Sequence, residues 1–174
     1  KQHLLRVDRG ENDLLCRINM NEVDRYYDVD AVIVSDYNKG FLNNKDCQEI
    51  CSLYKSLAIP VFVDSKKKKL DCFHNCWLKI NEKEYNNSQS LPLNSNILIT
   101  LGPRGAKYMN KVYPTDSVEV FDVCGAGDVF LSAFVSRYLV CNDVTESIRY
   151  ANKFAAISVT KFGTYVITKQ DIEE

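Results

Sequence analysis

Two acids, two glycines and an alanine crowd into "DVCGAGDVF" (122–130), in a chain that has only seven glycines among its 174 residues. Directly afterwards Phe130, Leu131, Phe134 and Val135 recur at helical spacing, which places Gly125, Ala126 and Gly127 at the start of a buried helix. A helix N-terminus leaves backbone N–H groups unpaired and carries positive partial charge, and glycine lets that backbone approach an anion closely. Asp128 falls in the first helical turn, where the same dipole favours its ionised form. A carboxylate beside an anion cradle can take a proton from an attacking hydroxyl while the cradle stabilises charge on a phosphoryl group in transfer. The plainer reading of the same residues is a tight turn with Asp128 as a helix cap.

The elements that would position this segment alternate along the chain. "AVIVS" (31–35) reads as a buried strand, and "NKDCQEICSLYKSL" (44–57) as a helix capped by Asn43 or Asn44, with Ile50, Leu53, Tyr54 and Leu57 on one face. Pro60 ends that helix and "VFVD" (61–64) follows as a strand, which makes one βαβ unit. "CWLKI" (76–80), a short helix near "EKEY" and "ILITL" (97–101) continue the pattern. Residues 106–109, "VYP" and "SVEVF" predict an antiparallel group at a sheet edge; helices over 126–140 and 144–160 close the chain, with Gly163 as C-cap of the second. The fold class is therefore α/β, a three-layer sandwich around a mainly parallel sheet. In such sheets ligands bind beyond the carboxyl ends of the strands. Ser35 and Asp36, Asp64, Asn81, and residues 100–102 should accordingly share one rim.

Length and composition narrow the class of function. A chain of 174 residues suits one domain with one core, and 45% apolar with 26% charged residues is ordinary for a globular protein. Basic and acidic side chains number 22 and 23, so no global field favours nucleic acid or an anionic membrane surface. No apolar run reaches the roughly 18 residues of a membrane span, and no secretory signal is present. "KKKK" (66–69) reads as a solvated loop whose first lysine could face a phosphate. Seven cysteines form an odd set, which predicts reduced thiols in a cytoplasmic protein; buried free cysteines fit better than zinc, since C-x3-C spacing at 47/51 and 72/76 is uncommon for zinc. The chain opens on Lys1 in a strand-like run, "HLLRVD", which reads as a piece of something longer.

Four motifs in order give the segment a family context. "DVCGAGDVF" resembles the C-terminal signature D-x-T-G-A-G-D of the ribokinase-like, or PfkB, sugar kinases. "NEKE" (81–84) is similar to that family's N-x-x-E, "ITLGPRGA" (99–106) to its T-x-G-x-x-G nucleotide loop, and "ANKFAAISVTKFGT" (151–164) to the helix and loop that close over adenine. "HLLRVDRGE" (3–11), "VSDYNKGFL" (34–42) and "VDSK" (63–66) most resemble the kinase domains of ADP-heptose synthases, which phosphorylate D-glycero-D-manno-heptose 7-phosphate to the 1,7-bisphosphate in lipopolysaccharide synthesis.

The resemblance implies Asp128 as catalytic base and the amides of Gly125, Ala126 and Gly127 as anion hole. It implies ATP and Mg2+ as cofactors, with Asn81 and Glu84 organising the magnesium–phosphate region, Thr100, Gly102 and Gly105 shaping the nucleotide loop, and Asn152 beside adenine. Asp36, Lys39 and Lys66 are the implied substrate-binding residues. Many members also bind a monovalent cation, here K+, which would use Asp122, the carbonyl of Cys124, and carbonyls near Val159, Phe162 and Thr164. Plainer readings stand beside these: Asn81 and Glu84 as a helix start, and "SDYNKG" as a turn.

Cys124 replaces the family's usual threonine, and Ser65 the proline of the most similar members. The N-terminal part of the family domain, with its sugar-binding glycine motif and most lid strands, has no counterpart here; residues 1–11 read as a remnant of the lid. The expectation is thus the C-terminal part of a single kinase domain, homodimeric when complete. The alternatives are a truncated, non-catalytic nucleotide-binding module, and a kinase for another sugar or a nucleoside.

Overall fold

The computed structural model describes residues 17–23 and 25–173. Among these the order is α1 (Met20–Val23), β1 (Val32–Asp36), α2 (Asn44–Ser56), β2 (Val61–Ser65), β3 (Trp77–Asn81), α3 (Glu82–Asn87), β4 (Asn96–Thr100), β5 (Ala106–Tyr108), β6 (Lys111–Tyr113), α4 (Ala126–Cys141), α5 (Val144–Val159) and α6 (Lys169–Glu173). The strands form one sheet in sequence order; β1 to β4 run parallel, while β5 and β6 turn back antiparallel at one edge.

Period-2 alternation sorts the side chains into two cores. Val61, Val63, Leu78 and Ile80 face α2 with its Cys47, Ile50, Cys51 and Tyr54. Phe62, Trp77 and Leu98 face the other way, against Phe130, Phe134 and Val135 of α4 and Ile148 and Ala151 of α5. Phe62 and Trp77 are register partners and stack at 6.3 Å; Phe134 and Tyr138 meet that pair edge-on or tilted. This aromatic block holds the middle of α4 against the sheet, and the buried Phe130 and Leu131 extend the contact toward its first turn.

Local signals explain the helix ends. Asn43 caps α2 in a full capping box, its side chain accepting from Lys45 and Asp46 N–H while Asp46 accepts from Asn43 N–H. Asp143 caps α5 through Glu146 N–H. Gly125, at φ 78°, precedes α4 in the left-handed region that glycine tolerates.

Three expectations need correction. "SVEVF" (117–121) is not a strand: the N–H groups of Phe121 and Asp122 both bond the carbonyl of Val159, so this stretch pairs with the end of α5 instead of a sheet edge. Gly163 does not cap α5, which ends at Thr160 in right-handed conformation with its N–H bonded to Ile157 and Ser158 carbonyls. The chain also carries a further helix, α6, whose Asp171 accepts from Tyr165 Oη and from both N–H and Oγ1 of Thr168. The strand expected in "HLLRVD" lies outside the described residues.

Cys47, Cys51, Cys72 and Cys76 are all buried thiols, as expected, and Cys124 is exposed. Hydrogen bonding to Cys72, together with burial, pushes the Cys47 thiol well above its ordinary range, and Cys76 is raised in the same way by Cys51. Their partners Cys72 and Cys51 are lowered by the same hydrogen bonds, so burial is what protects all four: native-state alkylation followed by peptide mapping should modify Cys124 early and reach Cys47, Cys51, Cys72 and Cys76 only on unfolding. Prompt native labelling of any of those four would contradict this packing.

Candidate active site

The ionic centre of the site is written into the strand register. Phe62 opposes Trp77 on the face toward α4; two residues further along the same strands, on the same face, Asp64 opposes Lys79. The two columns thus change from aromatic to charged as they approach the carboxyl edge. Lys79 Nζ lies 2.5 Å from Asp64 Oδ2, with both side chains under 10% exposed. A buried ammonium requires such a partner, because an unpaired charge there would cost several kcal/mol, on the order of the ion desolvation penalty.

Above this pair sits the first turn of α4. A Cβ built on Gly127 would come within 2.7 Å of Lys79 Nζ, so a side chain at this position would have to displace the ammonium beneath it. A Cβ on Gly125 would meet Thr164 Cγ2 at 2.9 Å, and its φ is positive as well. Ala126 N–H turns back to the Val123 carbonyl at 3.3 Å, and Asp128 N–H to Gly125 at 3.0 Å. Among the described residues no protein acceptor is assigned to Gly127 N–H. Lys79 and that amide therefore supply two positive groups at one point.

The expected rim exists. A cleft of about 260 Å³ at the carboxyl edge is lined by Asp36, Asp64, Asn81 and Thr100 from the four parallel strands, and by Gly127 and Asp128 from α4. Asp128 is exposed into it. Lys66 reaches in from the loop after β2 and bridges Asp64 Oδ1 at 3.2 Å and Glu84 Oε1 at 2.7 Å. Burial works against its charge, but the Glu84 hydrogen bond and the Asp64 charge outweigh this and hold its pKa above the ordinary lysine value. This raised pKa makes the Lys66 bridge a contribution present at neutral pH, lost only as pH rises through the lysine range.

Asn81 and Glu84 realise the helix-start reading in full: Glu84 N–H donates to Asn81 Oδ1 and Asn81 N–H to Glu84 Oε2, each at 2.8 Å. The same box places Asn81 on the cleft wall, and Glu84 beside it through Lys66. Asp36 is buried, accepting from Asn38 N–H at 2.8 Å and Ser65 Oγ at 2.9 Å. Lys39 follows it in the loop outside the cleft lining.

The remaining residues lie apart. Gly102 and Gly105 shape the tight turn Gly102–Arg104 beyond Thr100; a Cβ on Gly105 would overlap the Tyr113 carbonyl. Asn152 is buried, and its amide donates to the carbonyls of Tyr113 and Pro114 at 2.9 and 3.2 Å, which ties α5 to the end of β6. It borders a separate depression with Thr115 and Arg149.

Of the monovalent-cation set, Asp122 accepts Cys124 N–H at 2.9 Å, and Thr164 Oγ1 contacts Cys124 Sγ at 3.6 Å, so 122, 124 and 164 gather at one turn. The Val159 carbonyl does not fit as a ligand, since the N–H groups of Phe121 and Asp122 occupy both its lone pairs. Phe162 is exposed.

Sequence reasoning missed two lysines. "CWLKI" reads simply as strand, although a lysine two residues from Trp77 on the same buried face is the anomaly that marks Lys79. Lys67 stands in a run that reads as solvated but is nearly buried, its side chain 9% exposed.

Known proteins share the family and the fold of this chain. The family model described as "pfkB family carbohydrate kinase" matches residues 7–171. The chain is 28% identical over 202 residues to the bifunctional protein HldE of Campylobacter curvus, covering 99% of this chain and 42% of that protein. Against HldE of Campylobacter concisus it is 32% identical over 167 residues, 82% of this chain and 35% of the relative. The chain thus spans less than half the length of these curated relatives. Among solved structures, Arabidopsis thaliana ribokinase complexed with ribose and ATP superposes at TM-score 0.66, with 18% identity over 85% of this chain and 55% of that one. Escherichia coli phosphofructokinase-2 in complex with potassium gives 0.73, with 17% identity over 90% and 62%. With a family match across nearly its whole length and a ribokinase-like α/β fold, the chain belongs to the pfkB family of carbohydrate kinases.

Proposed function

We propose that this chain is the C-terminal, base-bearing part of one ribokinase-like domain that transfers the γ-phosphoryl group of ATP to a sugar hydroxyl in the cytoplasm. The acceptor we infer is the anomeric hydroxyl of D-glycero-D-manno-heptose 7-phosphate, on the likeness to HldE proteins. One observation carries the reading: Asp128, Gly127 and Lys79 converge on a single cleft at the carboxyl edge of the parallel sheet.

In this arrangement Asp128 takes the proton of the acceptor hydroxyl as its oxygen attacks phosphorus, and the bond from phosphorus to the ADP oxygen breaks. Gly127 N–H and Lys79 Nζ face the transferring group, where fixed positive groups stabilise the charge it develops without reorganising. Asp64 holds Lys79 in that place.

Lys66 and the Asn81–Glu84 box form the adjoining wall. A carboxylate with water and phosphate oxygens is the set of donors magnesium accepts, so Glu84 fits as the residue that holds the ion, most simply through water. When bound, Mg2+ neutralises phosphate charge. A potassium ion, as in the phosphofructokinase-2 complex, fits the turn of Asp122, Cys124 and Thr164, without Val159.

Replacing Asp128→Asn in the complete protein should lower kcat by about 10²- to 10⁴-fold while ATP binding, read by calorimetry, stays near wild type. Turnover near wild type would sink the assignment of the base. Gly127→Ala drives a methyl into the Lys79 ammonium. It is expected to reduce kcat by roughly 10²-fold with the thermal midpoint little moved. An unaffected kcat would remove Gly127 and Lys79 from the phosphoryl site.

A further inference from the structure

The loop between β1 and α2 forms one wall of the cleft, for Asp36 and Tyr37 line it together with Asp128. Its backbone includes two left-handed residues, Asn38 at φ 55° and Gly40 at φ 92°. A loop of this kind needs something outside it to fix its course.

That something is the second lysine of the 66–69 run. Lys67 Nζ donates to the Leu42 carbonyl at 2.8 Å and to Asn38 Oδ1 at 3.5 Å, and pairs with Asp36 Oδ2 at 3.4 Å. The start, the tip and the end of the loop thus meet at one ammonium, whose three N–H donors face three oxygens. Ser65 completes the knot, its Oγ donating to Asp36 Oδ2 at 2.9 Å and accepting Lys67 N–H at 3.1 Å. Lys66 N–H adds a bond to the Asp36 carbonyl at 2.8 Å. The neighbouring Lys68 is exposed.

We infer that Lys67 is a positioning residue: it fixes the β1–α2 loop as the acceptor wall of the cleft and thereby sets affinity for the acceptor and not for the nucleotide. Lys67 lies outside the cleft lining and touches no reacting atom, so its action runs through Asp36 and the loop. Lysine suits the place because it supplies three donors and neutralises the buried Asp36 together.

The inference rests on the sugar-kinase reading for the assignment of this loop to the acceptor and for its kinetic consequence, and the test separates the clamp from both. In the complete protein, Lys67→Met and the milder Lys67→Gln are compared with the exposed control Lys68→Met. Hydrogen exchange is followed over residues 37–43, and initial rates are measured with ATP and D-glycero-D-manno-heptose 7-phosphate. Both Lys67 variants should exchange faster across the loop. KM for the acceptor should rise about tenfold or more, while kcat and KM for ATP stay within about twofold, since small misplacements of a binding wall carry effects of this order. Lys68→Met should match wild type in both.

Exchange unchanged in Lys67→Gln would overturn the clamp. Faster exchange with equal rises in both KM values, or with a fall in kcat alone, would overturn the role in acceptor affinity. If Lys67→Met does not fold, Lys67→Gln decides on the same terms. If the unaltered protein forms no ADP with the sugar, the kinase reading falls by itself, and the exchange comparison still upholds or overturns the clamp.

Discussion

The buried salt bridge from Lys79 to Asp64 is the interaction on which the site depends. Two charges on neighbouring central strands, each less than a tenth exposed, are expensive to desolvate, and an apolar pair of equal volume would serve stability as well or better. Removing one partner alone would cost about 3–5 kcal/mol, because the other would remain charged in a dry place. A structure that keeps such a pair two residues beyond an aromatic stack gains something other than stability. Here it gains a positive group fixed beneath the first turn of a helix.

The rest follows from that placement. Without a side chain, Gly127 leaves the ammonium the space a methyl would otherwise take. The aromatic block of Phe62, Trp77, Phe134 and Tyr138 fixes α4 against the sheet, so the gap between Gly127 and Lys79 is set by packing well away from solvent. On the other side of Asp64, Lys66 ties the strand to Glu84 and so to the capping box of α3. One carboxylate therefore links three of the cleft's walls.

Much of this could be read from residues alone, and the failures have physical causes. Strand and helix alternation is legible because parallel strands here are short apolar runs between amphipathic helices, and the rim rule then places Asp36, Asp64, Asn81 and Thr100 together. "DVCGAGDVF" is legible because its glycines stand directly before an apolar helical period. "SVEVF" misled because its alternation fits a strand, while its N–H groups find the last carbonyl of α5; no periodicity encodes that tertiary choice. Lys67 misled because a run of four lysines reads as one solvated unit, yet adjacent residues point differently and a single one turned inward. Asn152 matched a motif, and its amide donates to the carbonyls of Tyr113 and Pro114, a bond that only the fold reveals.

The central claim is that Lys79 and Gly127 N–H receive the phosphoryl group opposite Asp128. Its most direct test is a crystal structure of the complete protein with ADP, magnesium, a metal fluoride that mimics the transferring phosphoryl group, and the heptose phosphate. The fluoride should lie within hydrogen-bond reach of Gly127 N–H and Lys79 Nζ, with the acceptor oxygen between it and the Asp128 carboxylate. A fluoride seated away from the first turn of α4, or an acceptor oxygen out of reach of Asp128, would contradict it.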